Sequence, residues 1–149
     1  MEWTIFKISL IGFWAGWFSL VTFTNAVDLL TRLAWTDRLP HFRSGNFELV
    51  TEVTGKHGFP YWANMSLFTL VIAIEAGTGL LFWRALFALA IEGSGVDTFT
   101  LTLPILPAIV LFGGFMLASE FFQVYTKEDT FVRILILLLV SSLVLIYWP

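Results

Sequence analysis

Glu75 and Glu120 are the side chains of this sequence best placed to do chemistry, because each carboxylate interrupts an apolar segment long enough to cross a bilayer. An ionisable group at membrane depth costs about 3 kcal/mol or more unless it is paired, hydrated or protonated. Three further polar residues belong with them. Asn25 and Asp28 stand near the end of the first apolar segment, and Arg133 opens the last. Segments one and three end on the side where segment four begins, so Asn25, Asp28, Glu120, Gln123 and Arg133 are expected at one level. Glu75 enters its own segment by about 21 Å at 1.5 Å per residue, which places it near or past mid-membrane. Asn25, Asp28, Glu75, Glu120 and Arg133 are thus expected to form an inward-facing polar core with room for an ion or ligand, Asn25, Asp28 and Arg133 approaching Glu120.

Each of these residues also has a plainer reading. Asp28 with Arg32 makes an i,i+4 helix pair. Glu120 can pair with Lys127 or Arg133 at the interface, and Arg84 can snorkel to the far surface. Glu75 has no basic residue within one helical turn. It is therefore either neutral and hydrogen-bonded, or it meets a cation or a polar cavity.

Other chemistries find no residues. Cysteine is absent, which removes disulfides, thiolate metal sites and cysteine nucleophiles together. The two histidines, His41 and His57, lie sixteen apart in one loop, which is no ligand signature, so no metal site is expected. No Ser/His/Asp arrangement, phosphate loop or pair of catalytic acids can be assembled, and the chain reads as a non-enzyme. A net charge of −3 supplies no basic patch, which excludes nucleic acid as a partner.

The elements that must position these residues follow from composition. Hydrophobic residues make up 58% of the chain and charged ones 13%, with a mean hydropathy of +0.84. A water-facing domain would carry roughly 25% charged residues. The class is all-α, a four-helix transmembrane bundle running up-down-up-down as a single membrane domain over 1–149. The helices are expected at about 5–34, 61–91, 103–125 and 131–148, with 36–60 as the one sizeable extramembrane loop. In that loop, residues 47–53 read as a short amphipathic helix or strand at the interface. Pro104 and Pro107 fall in the first turns of the third helix, where proline is tolerated. The short connection 126–130 makes helices three and four antiparallel neighbours.

Packing is assigned to small residues. Gly12, Gly16 and Ser19 form a stripe on helix one, with Gly77 and Gly79 on helix two and Gly114 on helix three as matching surfaces. Trp3, Trp35, Tyr61, Trp62, Tyr125, Tyr147 and Trp148 fall near segment ends as an interfacial belt. Trp14, Trp17 and Trp83 lie deeper and are read as facing lipid or another subunit. Thr24-Asn25-Ala26 has the small-x-small form of a signal-peptidase site, but the apolar stretch before it is too long for a signal core, and it is read as a retained helix. Lys and Arg concentrate in loops one and three, which puts those loops in the cytoplasm and both termini outside.

Five short motifs resemble a family of uncharacterised small integral membrane proteins of bacteria. They are Asn25-Ala26-Val27-Asp28, Asn46-Phe47-Glu48-Leu49-Val50, Ile74-Glu75, Ser119-Glu120-Phe121-Phe122 and Thr130-Phe131-Val132-Arg133. Together they span most of the chain. Ser119 and Phe121 stand where that family has glycine and tryptophan. The resemblance implies four helices with Asn25, Asp28, Glu75, Glu120 and Arg133 as a shared polar core, and it implies no activity.

Two functions fit this pattern. One is a small non-catalytic accessory subunit of a larger complex in a bacterial or archaeal plasma membrane, touching lipid and other subunits or further copies of itself, and holding lipid or quinone. The other is an oligomeric proton- or cation-linked transporter or channel using Glu75 and Glu120. A relay needs polar groups at closely spaced depths. Beyond Glu75 only Thr78, Arg84, Ser9, Ser141 and Ser142 follow, so the first reading is preferred.

Overall fold

The computed structural model describes residues 2–35, 39–125 and 127–147. Thr36, Asp37, Arg38, Thr126 and Trp148, which enter the loop, orientation and belt readings above, lie outside the described residues. The elements are α1 (Glu2–Arg32), α2 (Asn46–Gly55), α3 (Tyr61–Glu92), α4 (Thr98–Thr102), α5 (Ile105–Phe122) and α6 (Glu128–Tyr147), with single 3-10 turns at Pro40–Phe42 and Gly93–Gly95. The chain is all-α, and no strand occurs among the described residues. Four stretches are long and apolar enough to cross a membrane: Trp3–Arg32, Tyr61–Glu92, Thr98–Phe122 and Glu128–Tyr147.

Local sequence explains the boundaries. α1 ends in a turn where Ala34 takes a φ of 57° and the Trp35 amide reaches back to the Leu30 carbonyl. Such a left-handed residue satisfies the last carbonyls of a helix. The third span starts as α4, capped by the Asp97 side chain accepting from the Thr100 amide. It then breaks at Pro104, which offers no amide to the preceding turn. Pro107 follows in the first turn of α5, where an amide would lack a partner anyway. At its other end α5 stops at Phe122, because Gln123 adopts a φ of 54° and the Val124 amide closes onto the Ser119 carbonyl at 2.9 Å. That end is three residues earlier than expected, and α4 occupies part of the connection left between the expected helices 61–91 and 103–125.

α1 and α3 form the tightest pair, antiparallel, in a register that one contact after another repeats. The Asn25 amide reaches Glu75, Phe18 stacks on Phe82 with centroids 5.6 Å apart, and the Trp83 indole donates to Ser19 at 2.9 Å. Gly79 is where the backbones come close. A Cβ there would lie 3.3 Å from the Phe18 Cβ and 3.7 Å from the Phe18 carbonyl carbon. Gly12 meets only the tip of Leu86 at 3.9 Å, while Gly16, Gly77 and Gly114 face open space within 4 Å. Close packing thus rests on Gly79 rather than on the whole expected set.

The core runs through the middle of the bundle, from Ile11, Trp14 and Phe18 on α1 to Phe82 and Ala85 on α3, Ala108 and Phe112 on α5, and Leu138 and Leu145 on α6. Trp14 is buried in it rather than facing lipid or another subunit. It stacks near Phe82 and donates its indole N–H to the Ser141 hydroxyl at 3.0 Å, which ties α1 to α6. An indole N–H needs such a partner when buried. Most other large apolar side chains, among them Leu20, Leu80, Ile91, Leu117 and Ile136, lie on the outside. A surface of that kind is matched to lipid or protein rather than to water.

Candidate functional site

The site is built where α2 docks on the loop-one ends of α1 and α3. Residues 46–55 fold as a helix because Phe47, Val50 and Thr54 recur at helical spacing while Glu48, Glu52 and Gly55 fall outside. Gly45, at a φ of 71°, precedes this helix and has no side chain to cap it. Asp28 of α1 supplies the cap instead. Its Oδ2 accepts from the Phe47 amide at 3.2 Å and from the Ser44 hydroxyl at 3.3 Å, while Arg43 Nε donates to Oδ1 at 3.2 Å. A carboxylate at a helix N-terminus meets both unpaired amides and the positive end of the helix dipole.

Asp28 is fully buried, and two arginines screen it. Arg43 lies against it, and Arg32 Nε stands 4.0 Å from the same oxygen. Both arginines also pair with Glu48 on α2, through Arg32 Nη2 and through Arg43 Nη2 at 3.2 Å. The Arg32 guanidinium further covers the Phe47 ring, 5.6 Å from its centroid. The i,i+4 pair expected from sequence is therefore only the weakest arm of a four-residue network.

One turn deeper, the chain of amides continues. The Asn46 side chain donates to Asn25 Oδ1 at 2.9 Å, and Asn25 Nδ2 donates to Glu75 Oε2 at 2.8 Å and Oε1 at 3.0 Å. Asn25 and Glu75 are 2% and 3% exposed. Three helices are thus joined by three consecutive side chains. A second tie lies further along α2, where Thr54 Oγ1 donates to Asn64 Oδ1 of α3 at 2.8 Å. Phe47 fills the space between the two ties, edge-on to Tyr61 and Phe68 with centroids 5.7 and 5.4 Å away.

Asn25 fixes the level of Glu75 relative to α1. Counted along α1, Asn25 is seven residues, about 10 Å, from the end at Arg32. α3 begins with a stretch that packs on α2 through Tyr61, Asn64 and Phe68. The carboxylate itself stands midway along α3.

Two of the five expected core residues do not join. Glu120 lies on the outer surface, where its polar contact is the Tyr125 hydroxyl at 3.5 Å, and Arg133 is exposed on the second turn of α6. Neither makes a hydrogen bond or ion pair with Asn25 or Asp28 among the described residues. The physical reason is the end of α5. With Phe122 as its last residue, Glu120 sits in the final turn and can reach water, so nothing forces it inward, and Ser119 takes the inward position instead. The Glu120 charge is felt by Tyr125, whose hydroxyl it holds above the usual phenol range, first through charge and then through desolvation and the hydrogen bond.

No family model, curated protein or solved structure matches this chain. The site must be read from its own geometry. Among the described residues no cluster of three or more His, Asp or Glu side chains could hold a metal ion. The residues that sequence reading left out are Arg43, Ser44, Glu48 and Thr54. The signals in this stretch were residues 47–53, read as a short amphipathic helix or strand, and the 46–50 motif, which assigned no contact to Glu48. The Asn25-Ala26-Val27-Asp28 and Asn46-Phe47 elements meet here, Asn25 on Asn46 and Asp28 on the amide of Phe47.

Proposed function

We propose that this chain is a small non-catalytic accessory subunit of a larger assembly in a bacterial or archaeal plasma membrane, with loops one and three on the cytoplasmic side. The observation that carries this reading is that its buried polar side chains serve its own helices. Both Glu75 oxygens take the Asn25 amide. Asp28 is occupied by one backbone amide, one hydroxyl and one guanidinium. Such groups position elements and leave little to bind or transfer a proton.

The outer surface supports the same reading. Gly16 and Ser19 leave a shallow strip on α1 beside the exposed rings of Trp17 and Trp83, and small residues of this kind let another helix approach closely. A proton or cation relay would need Glu120 in line with Glu75, and the two carboxylates belong to separate places. Reconstitution of the purified chain in liposomes tests the choice. The subunit reading expects no proton or cation flux above protein-free vesicles. Flux that Glu75→Gln abolishes would replace it with the transporter reading.

A further inference from the structure

Outside the polar site a cleft of about 380 Å³ lies between α3 and α5, with α2 as its roof and Lys127 at its loop end. That volume lies within the range of small-ligand sites, roughly 300–1,000 Å³. Its walls are apolar. Val50 and Val53 come from α2, Val71 from α3, and Gly114 and Phe115 from α5. The two wall hydroxyls are already spent, Thr54 on Asn64 and the Val50 carbonyl, Ser119 on the Phe115 carbonyl. A quinone ring brings carbonyl acceptors, and along these walls they would find no free donor short of Lys127 at the loop end. An alkyl chain needs none.

We infer that this cleft holds one acyl chain of an anionic phospholipid from the surrounding leaflet, with the headgroup phosphate at Lys127. The inference goes beyond the subunit reading and gives the lipid expected from the sequence a place and a headgroup class. Three observations carry it. First, the cleft opens sideways to the bilayer, since the lining residues Leu67 and Val110 are 44% and 62% exposed. Second, it runs from Phe122 to Val110, about 18 Å along α5. That is close to half of the roughly 30 Å hydrocarbon thickness, the depth one acyl chain occupies. Third, Lys127 has no carboxylate partner among the described ion pairs, so its ammonium is available to a phosphate at the level where headgroups lie.

The full chain, purified in mild detergent and stripped of lipid, is mixed with dioleoyl phosphatidylglycerol or dioleoyl phosphatidylcholine and examined by native mass spectrometry. One phosphatidylglycerol adduct is expected to dominate over phosphatidylcholine. Lys127→Gln should lower that preference about fivefold, the effect of one basic residue at an anionic headgroup. Gly114→Leu should remove the preferred adduct while leaving a folded, monodisperse protein, because a side chain there enters open space. Ala118→Leu narrows the same cleft and serves as the second blocking variant. Equal adducts for the two lipids overturn the proposal, as does an undiminished phosphatidylglycerol adduct in both blocking variants. A preference that survives Lys127→Gln overturns the headgroup assignment. The readout uses the isolated chain, so failure here leaves the subunit reading intact, and failure of that reading leaves the adduct result standing.

Discussion

Replacing Asp28 by alanine should release α2 from the bundle without unfolding the spans. The carboxylate is fully buried, and three donors converge on it: the Phe47 amide, the Ser44 hydroxyl and Arg43 Nε. Loss of a helix cap costs about 1 kcal/mol. The hydroxyl bond adds about 0.5 kcal/mol. Arg43 adds about 0.5 kcal/mol, because a guanidinium that is partly exposed can turn to water when its partner goes. The sum is about 2 kcal/mol, which raises the undocked population of α2 about 30-fold. Because the chain has no cysteine, a single Val53→Cys on the inner side of α2 reports that opening through its labelling rate with a thiol reagent. Ala108→Cys, in the core of α5, is the control that should stay protected. A Val53→Cys rate that Asp28→Ala leaves within about twofold would refute the capping argument. An equal rise at both cysteines would refute the claim that the effect is local.

Glu75→Gln should cost under about 1 kcal/mol, because one amide oxygen still accepts from Asn25, whereas Glu75→Lys leaves the Asn25 donor unpaired beside a buried ammonium and should cost about 3 kcal/mol or more. Thermal unfolding in detergent ranks the two, and equal midpoints would count against the geometry. Gly79→Leu should destabilise the α1–α3 pair by about 1–3 kcal/mol through overpacking on Phe18, while Gly16→Leu, facing open space, should leave the fold intact. Glu120→Gln should lower the Tyr125 titration towards the ordinary phenol value, because the charge that opposes the phenolate is gone. Phenolate absorbance followed against pH, with Tyr125→Phe to assign the signal, reads that shift.

The spans were legible because apolar length alone marks them, and so were the burial of Glu75 and the position of Asn25 and Asp28 near the end of α1. Glu120 was not, for a physical reason. α5 is apolar on every side, so its pattern carries no phase to say which way one acid points, and its end is decided by the backbone of Gln123 rather than by composition. The docking of α2 was also hidden. It depends on Asp28 capping a helix 19 positions further along, a contact that local spacing does not encode. Residues 47–53 were readable as a short amphipathic helix or strand, and only the fold showed that it is a helix and what received it. The small-residue set was readable as a type, but which glycine is pressed against a neighbour depends on register, and that singled out Gly79.

The central claim is that this chain works as part of an assembly. Extraction of native membranes in a mild detergent, followed by sizing of the tagged full chain and identification of what travels with it, tests that claim most directly. The account predicts a complex well above the 16.9 kDa of the chain, with one defined membrane protein in fixed stoichiometry that Gly16→Leu displaces. A chain that elutes alone, as a monomer or only with copies of itself, would contradict it.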